Sequence, residues 1–339
     1  MTANPSTPAR PRRRGLTAAA LVTLAALTGA CAKQADGPNA QTDGGKDPKF
    51  EATAQFLAAA VKQSKAKPYK FDFGFDISVA GESINADHLM SGQVDGKQSA
   101  VTMDMRQMFQ SIPGASSIAG DLTLDMVTDQ KTLYVKAPMI DTLNQAGGLT
   151  SGASFGPLEA FGGLNGGWGK VDLSTLGDDA LGQVMGSTGA QGGDPGKFLD
   201  MVKNASSPHD LGSDTIDGVA VKGLGASSTF RDLIRSEGQD PDTYLKKLGT
   251  SNVPASMVGK ILDLEVPMQV WFDGDNQVRR IKMDIDMNKL LDEVGAGEAG
   301  GASMSMSMNF SDYGDSSIAI QAPANATDVT AKFKDALPG

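Results

Sequence analysis

This chain of 339 residues is poor in several residue types, and each scarcity excludes a class of protein. Its one cysteine, Cys31, can form no disulfide within the chain and no zinc site made of several thiolates. Its two histidines, His88 and His209, leave little material for a histidine metal site. A net charge of −10 opposes contact with the phosphates of DNA or RNA, so no nucleic-acid partner is predicted.

Long apolar runs are also missing, and the most apolar stretch lies near the N-terminus, from Leu16 to Leu27. It follows a leader with four arginines and no acidic residue, and it is too short to span a bilayer. Small residues then lead directly to Cys31, as at the cleavage site of bacterial lipoproteins. We therefore predict a signal peptide over residues 1–30 and an acylated Cys31. Ordinary cleavage that leaves a spare cysteine is the alternative.

The mature chain divides into a polar segment and one large domain. Residues 31–49 hold the acylated cysteine and then glycine, aspartate, asparagine and glutamine without an apolar period, which predicts a flexible tether. Residues 50–339 are numerous enough to bury a sizeable core. Two hydrophobic anchors suffice for stable membrane attachment, so lipid chains on Cys31 would hold this domain at the membrane.

Alternation of apolar and polar residues recurs throughout the domain and predicts strands with one apolar face. It is clearest from Phe71 to Val79 and from Met304 to Phe310, and Ile318 and Ile320 are predicted to close the sheet. Helical spacing is predicted over residues 50–65, 178–185, 195–202, 240–248 and 254–262. This order predicts an α+β domain in which a curved antiparallel sheet wraps over helices. The Gly-rich stretch 147–169, with Trp168, is a candidate mobile rim or lid.

Methionine is abundant, with 16 residues, and many of them lie on the apolar side of the alternating runs. Strands prefer valine and isoleucine, whereas methionine is flexible and suits surfaces that adapt to varied apolar ligands. The alternative is a core filled by adaptable side chains. The candidates for the lining of a lipid cavity are Phe73, Phe75, Met90, Met103, Met105, Leu124, Met126, Met304, Met306 and Met308.

Signs of catalysis are weak. We expect His88 to lie on the apolar face of its strand and His209 to lie in a loop, and no G-x-S-x-G motif accompanies them. The stretch from Asp273 to Asn276 has part of a calcium-loop pattern but lacks the closing glutamate, so a hairpin turn is expected there. No catalytic residue, metal site or cofactor is predicted, and an enzyme is not expected.

Several segments together resemble the LppX/LprG family of actinobacterial lipoproteins. They are Thr132–Tyr134, Asp214–Gly218, Val266–Trp271, Met304–Met308, Ser311–Gly314 and Ile318–Pro323, combined with the acylated N-terminus. The likeness covers most of the mature chain in order, although the Gly-rich middle is longer than the family pattern.

The resemblance implies a LolA/LppX-like half-barrel of antiparallel strands around helices, with an apolar cavity between them. It also implies binding of an acylated lipid or lipoglycan and its passage through the cell envelope. The expected function is therefore a lipid carrier or presenter, anchored at the extracytoplasmic face of the cell membrane, with an export partner that the sequence does not identify. A ligand-free envelope scaffold or sensor is the alternative, and a hydrolase that depends on His88 is a third possibility.

Overall fold

The computed structural model describes residues 60, 67–79, 82–111, 118–146, 156–176, 195–236, 240–241, 244, 255–288 and 301–337. The predicted signal peptide, the acylated cysteine, the tether and most of the predicted first helix lie outside the described residues. So do the helix predicted over residues 178–185 and most of the one predicted over 240–248. None of the helices in the described part combines the length and apolar composition that crossing a bilayer requires.

One sheet of twelve strands dominates the described part of the chain. The strands are β1 (Tyr69–Val79), β2 (Glu82–Asp95), β3 (Gln98–Asp104), β4 (Thr123–Asp129), β5 (Thr132–Lys136), β6 (Trp168–Asp172), β7 (Ser206–Ile216), β8 (Val219–Thr229), β9 (Glu265–Phe272), β10 (Val278–Asp286), β11 (Ala302–Ser311) and β12 (Ala326–Asp328). Their order is β12-β6-β5-β4-β3-β2-β1-β11-β10-β9-β8-β7, so β12 and β7 are the edges. All neighbours run antiparallel except β12 and β6, which confirms the predicted α+β class with a large antiparallel sheet.

Helices connect the strands and complete the core. They are α1 (Arg106–Ser111), α2 (Pro138–Gln145), α3 (Pro195–Asn204), α4 (Phe230–Ser236), α5 (Ala255–Leu262) and α6 (Thr330–Asp335), with 3-10 turns at Gly156–Phe161 and Leu173–Thr175. Helices α3 and α5 confirm two predicted helices. Proline at the start of α2 and α3 suits the first helical turn, where no backbone N–H is needed.

The two faces of the sheet differ in polarity because successive side chains of a strand point to opposite sides. In β11, Met304, Met306 and Met308 are buried, whereas the serines between them are half-exposed. Buried helix residues such as Ile140 and Leu199 belong to the same apolar core as the buried strand residues. We call this buried side of the sheet the apolar face and the other side the polar face.

The end of the sheet nearest β6 departs from the sequence prediction. Trp168 lies in β6, between β5 and β12, and not in a lid, while residues 147–155 lie outside the described residues. The sheet ends with β12, which pairs in parallel with β6 and places Asp328 opposite Lys170. Ile318 and Ile320 are buried but belong to no strand, so the prediction that they close the sheet is wrong. Strand β12 has three residues and pairs with β6, which is distant in the sequence, so no local alternation of apolar and polar residues predicts it.

Candidate functional site

The apolar face carries rows of side chains that cross several strands. In the central row, defined by Leu124, Met103, Met90, Phe73, Met308 and Ile281, each residue is the cross-strand partner of the next. Five of these six are among the ten residues predicted to line a lipid cavity. The row spans β4 to β10, which is about 24 Å at the usual spacing of about 4.8 Å between strands.

The remaining predicted residues lie close to this row. Phe75 pairs with Met306, and Met306 pairs on its other side with Met283. Met126 and Met304 lie on neighbouring rows, opposite Val101 and Ile77. Met105 follows the end of β3 and is half-buried.

Burial of the ten residues is nearly uniform. Eight are buried, with exposed fractions of 2–6%, and Met103 and Met105 are half-buried. All ten contribute to one apolar cluster. The structure therefore places them together on the predicted face, and their role as the lining of a lipid cavity stays a prediction.

A glycine in β2 lets an aromatic ring pack closely against the backbone on the apolar face. Gly92 is the cross-strand partner of Phe71, and a methyl group at residue 92 would lie 2.7 Å from two carbons of that ring. The same methyl would lie 2.6 Å from the backbone oxygen of Ala100. Glycine is required here by the close approach of neighbouring atoms.

His88 lies on the polar face, which corrects the prediction that it lies on the apolar face. The pairing of β1 with β2 shifts between Phe73, opposite Met90, and Phe75, opposite Ala86. Three residues of β2 thus stand against one of β1, and His88 adopts a φ of 60° within this bulge. A bulge redirects side chains and breaks the period of two on which the prediction depended.

An aspartate of β1 orients the imidazole of His88. The Nδ1 atom of His88 lies 2.7 Å from Oδ2 of Asp72. The hydrogen bond and the negative charge of Asp72 raise the pKa of His88 above its ordinary value of 6.5. In the part of the chain that the structure describes, His88 hydrogen-bonds to this carboxylate and to no hydroxyl group that a hydrolase would use as its nucleophile.

A groove of about 690 Å³ lies on the polar face around this pair. Residues of β1, β2, β3, β4, β6, β10 and β11 line it, together with Asp217 in the turn between β7 and β8. Trp168 on β6 lines it too, although β6 and β8 are nine strand positions apart, or about 43 Å in a flat sheet. The sheet is therefore strongly curved at this groove.

Polar contacts inside the groove pair its charges locally. Thr102 donates a hydrogen bond of 2.8 Å to Asp125, and Nε of Arg280 donates one of 2.7 Å to Asn309. Lys70 forms an ion pair of 2.8 Å with Asp312 at the end of β11. Among the described residues, no group of three or more His, Cys, Asp or Glu side chains is arranged to hold a metal ion.

Comparison with known proteins finds matches among solved structures alone, because no protein-family model and no curated protein matches the chain. The chain is similar to LprF from Mycobacterium bovis, with 13% identity, a TM-score of 0.36, and coverage of 83% of this chain and 100% of that one. It is also similar to the lipoprotein LppX from Mycobacterium tuberculosis, with 10% identity, a TM-score of 0.37, and coverage of 80% and 99%.

These two proteins are of the kind that the sequence resemblance indicated. A DUF1329 family protein from Desulfovibrio piger matches with 10% identity and a TM-score of 0.24, covering 81% of this chain and 96% of that one. At these identities and TM-scores the likeness carries no conclusion about a ligand. The function proposed for this chain rests on its own residues.

The polar groove is the feature that the sequence reasoning missed. Its charged and hydrogen-bonding residues are polar members of the same alternating runs, such as Asp72, and Phe71, Val101 and Met126 of the apolar positions line it too. In an isolated strand they read as ordinary solvated positions. The concentration of amides, hydroxyls and carboxylates at matching positions of neighbouring strands could have indicated a polar site, but only once the strand order was known.

Proposed function

We propose that this protein is a lipoprotein of the extracytoplasmic face of the cell membrane, anchored through acylated Cys31, that binds an acylated lipid or lipoglycan. It holds the acyl chains in a hydrophobic cavity next to the apolar face of its sheet. It carries or presents the lipid across the cell envelope and catalyses no reaction. The observation that supports this proposal best is the central row of methionine, phenylalanine and aliphatic side chains across six strands.

The dimensions of the central row suit a lipid tail. Its length of about 24 Å exceeds the hydrocarbon thickness of one membrane leaflet, which is about 15 Å. Met103 is only half-buried within it, so the row has an accessible point. Methionine side chains can adopt several rotamers at low cost and can make room for a chain without a rigid template.

Free energies of transfer define what such a site must do. Removing a sixteen-carbon acyl chain from water is favourable by about 13 kcal/mol, at about 0.8 kcal/mol per methylene. The bilayer gives the same chain a similar stabilisation. A protein site that matches the bilayer therefore allows exchange, and selectivity for one lipid has to come from polar contacts.

A second candidate function is a ligand-free envelope scaffold or sensor. The burial of eight of the ten predicted residues in one apolar cluster favours it, because side chains that fill each other's space leave little for a ligand. The two candidates differ in whether lipid accompanies the purified protein.

Extraction of purified protein separates the two candidates. Protein that lacks residues 1–31 is purified without detergent, extracted into organic solvent and analysed by mass spectrometry. The lipid carrier should yield an acylated lipid at a fixed molar ratio. Protein that is repeatedly free of lipid, and that binds no fluorescent fatty acid on titration, would support the scaffold or sensor and contradict the lipid carrier.

A pair of variants tests the site itself. Met103→Trp adds bulk at the half-buried point of the central row, whereas Ser307→Trp adds the same bulk on the polar face. We expect Met103→Trp to lose most of the bound lipid and Ser307→Trp to retain it. Thermal unfolding checks that both variants fold. Equal lipid content in folded samples of both would contradict the assignment of the apolar face.

A further inference from the structure

The polar groove lies on the opposite side of the sheet from the central row. Asp72 lines the groove, while its neighbour Phe73 belongs to the central row and is buried on the apolar face. A lipid tail held by the apolar face therefore does not explain the groove. Its volume of about 690 Å³ lies within the usual range for ligand sites, about 300–1,000 Å³.

Charge in the groove is mixed and nearly balanced. Three carboxylates, of Asp72, Asp125 and Asp217, share it with the cations Lys70 and Arg280. These groups have partners nearby: His88 contacts Asp72, Asp312 pairs with Lys70, and Asn309 accepts from Arg280. A groove of this kind offers no excess positive charge to a phosphate or a nucleic acid, and a neutral ligand fits it better.

Uncharged groups supply the remaining polar surface. Gln93 and Asn309 bring amides, and Ser91, Thr102 and Ser311 bring hydroxyls, each group able to donate and to accept. A sugar hydroxyl likewise donates and accepts, so a row of such groups complements a polyhydroxylated chain. An acyl chain would make no hydrogen bonds with these groups, so they favour a polyhydroxylated ligand over hydrocarbon.

An aromatic ring completes the site. Trp168 is half-buried on β6 and lines the groove beyond the polar groups of β1 to β4. The flat apolar face of an indole can cover the C–H face of a pyranose ring, while its N–H remains a donor.

We propose that the polar groove binds a neutral oligosaccharide, with Trp168 as the stacking platform and the side chains of Gln93, Thr102 and Asn309 as hydrogen-bonding partners. The source of the sugar is either a free glycan chain or the glycan part of a glycolipid. The inference does not depend on lipid binding at the apolar face, since the two sites lie on opposite sides of the sheet.

Tryptophan fluorescence provides a direct test, because the chain has only two tryptophans. The other one, Trp271, lies on β9 and its ring covers Gly223. A Trp271→Phe variant therefore reports on Trp168 alone. It is titrated with maltohexaose, cellohexaose and mannohexaose, and separately with dodecyl maltoside below its critical micelle concentration. We expect saturable quenching by at least one hexasaccharide.

Two matched variants locate the binding by calorimetry. Gln93→Ala removes an amide from the groove, whereas Gln269→Ala removes a half-buried amide from the same polar face on β9, outside the groove. We expect Gln93→Ala to weaken binding about threefold or more and Gln269→Ala to leave it unchanged. Trp168→Ala should weaken binding about tenfold.

The outcomes separate this inference from lipid binding. Hexasaccharide binding that Gln93→Ala and Trp168→Ala weaken supports a free-glycan site. Binding of dodecyl maltoside alone, weakened by the same two variants, supports a glycolipid headgroup. Binding of dodecyl maltoside that they leave unchanged would overturn the inference while supporting an apolar lipid site. No binding of any of the four probes would overturn it as well.

Discussion

Replacement of Gly92 by alanine is the most informative test of packing on the apolar face. The added methyl would lie 2.6 Å from the backbone oxygen of Ala100 and 2.7 Å from the ring of Phe71. Carbon atoms in contact normally lie about 3.5–4.0 Å apart, so both neighbours would have to move. The ring can rotate or shift, but the backbone oxygen belongs to the pairing of β2 with β3 and moves only with the strand.

The magnitude follows from two opposing effects. Overpacking in a dense core costs about 1–3 kcal/mol, and removal of a glycine recovers about 0.4–1 kcal/mol by restricting the unfolded chain. We therefore expect Gly92→Ala to lower the free energy of unfolding by about 1–2 kcal/mol. In a domain of this size that corresponds to a fall in Tm of about 2–3 °C.

Urea denaturation followed by circular dichroism measures this change. Gly259→Ala is the matched control, because it adds the same methyl in helix α5, where no described residue outside the adjacent helix backbone has an atom within 4 Å of it. A gain of up to about 1 kcal/mol is expected there from helix propensity. The double variant Gly92→Ala with Phe71→Leu should recover the part of the destabilisation that comes from the contact with the Phe71 ring. Equal stability of Gly92→Ala and the wild type would refute the close packing of β1, β2 and β3.

Three further predictions concern single polar groups. Because Asp72 raises the pKa of His88, their contact should stabilise the fold fully below about pH 6.5, and this stabilisation should be lost as pH rises through the raised pKa. Urea denaturation of the wild type and of Asp72→Asn at several pH values tests this, and a difference in stability between them that does not change with pH would contradict it. Asp273 is buried and accepts hydrogen bonds from Arg279 at 2.7 Å and from the N–H of Gln277 at 2.9 Å. Asp273→Ala should therefore lower the free energy of unfolding, measured by urea denaturation, by about 3 kcal/mol, and a loss below about 1 kcal/mol would contradict this. The buried hydroxyl of Thr128 has no hydrogen-bond partner among the described residues. Thr128→Val should therefore raise stability by about 1 kcal/mol in the same assay, and a loss would contradict this.

Strands could be predicted from the sequence because the alternation of apolar and polar residues is visible within each short segment. From Phe71 to Ile77 every second residue is apolar, and the structure buries those residues on one face. The same holds for β11, from Met304 to Phe310. The ten candidate residues could therefore be assigned to the apolar face without knowledge of their partners.

Irregular strand pairing could not be predicted from the sequence. The bulge opposite Gly74 places His88 on the polar face, and no residue type in β2 indicates that a bulge is present. The parallel pairing of β12 with β6, which sets Asp328 opposite Lys170, joins segments too distant for a local pattern to reveal. Ile318 and Ile320 show the same apolar alternation but belong to no strand of the described part, because alternation alone does not supply a pairing partner.

The amino-acid sequence by itself indicated most of the strands and their apolar side, because alternation depends on residues close together in the chain. The export and acylation signal rests on the same kind of local pattern and stays a prediction. The tertiary structure decided the order of the strands, placing β1 between β2 and β11. It also decided that Trp168 and Asp217 line the same groove, which depends on the curvature of the whole sheet. Curvature is the sum of twists and bulges over many strands, so no single segment of the sequence contains it.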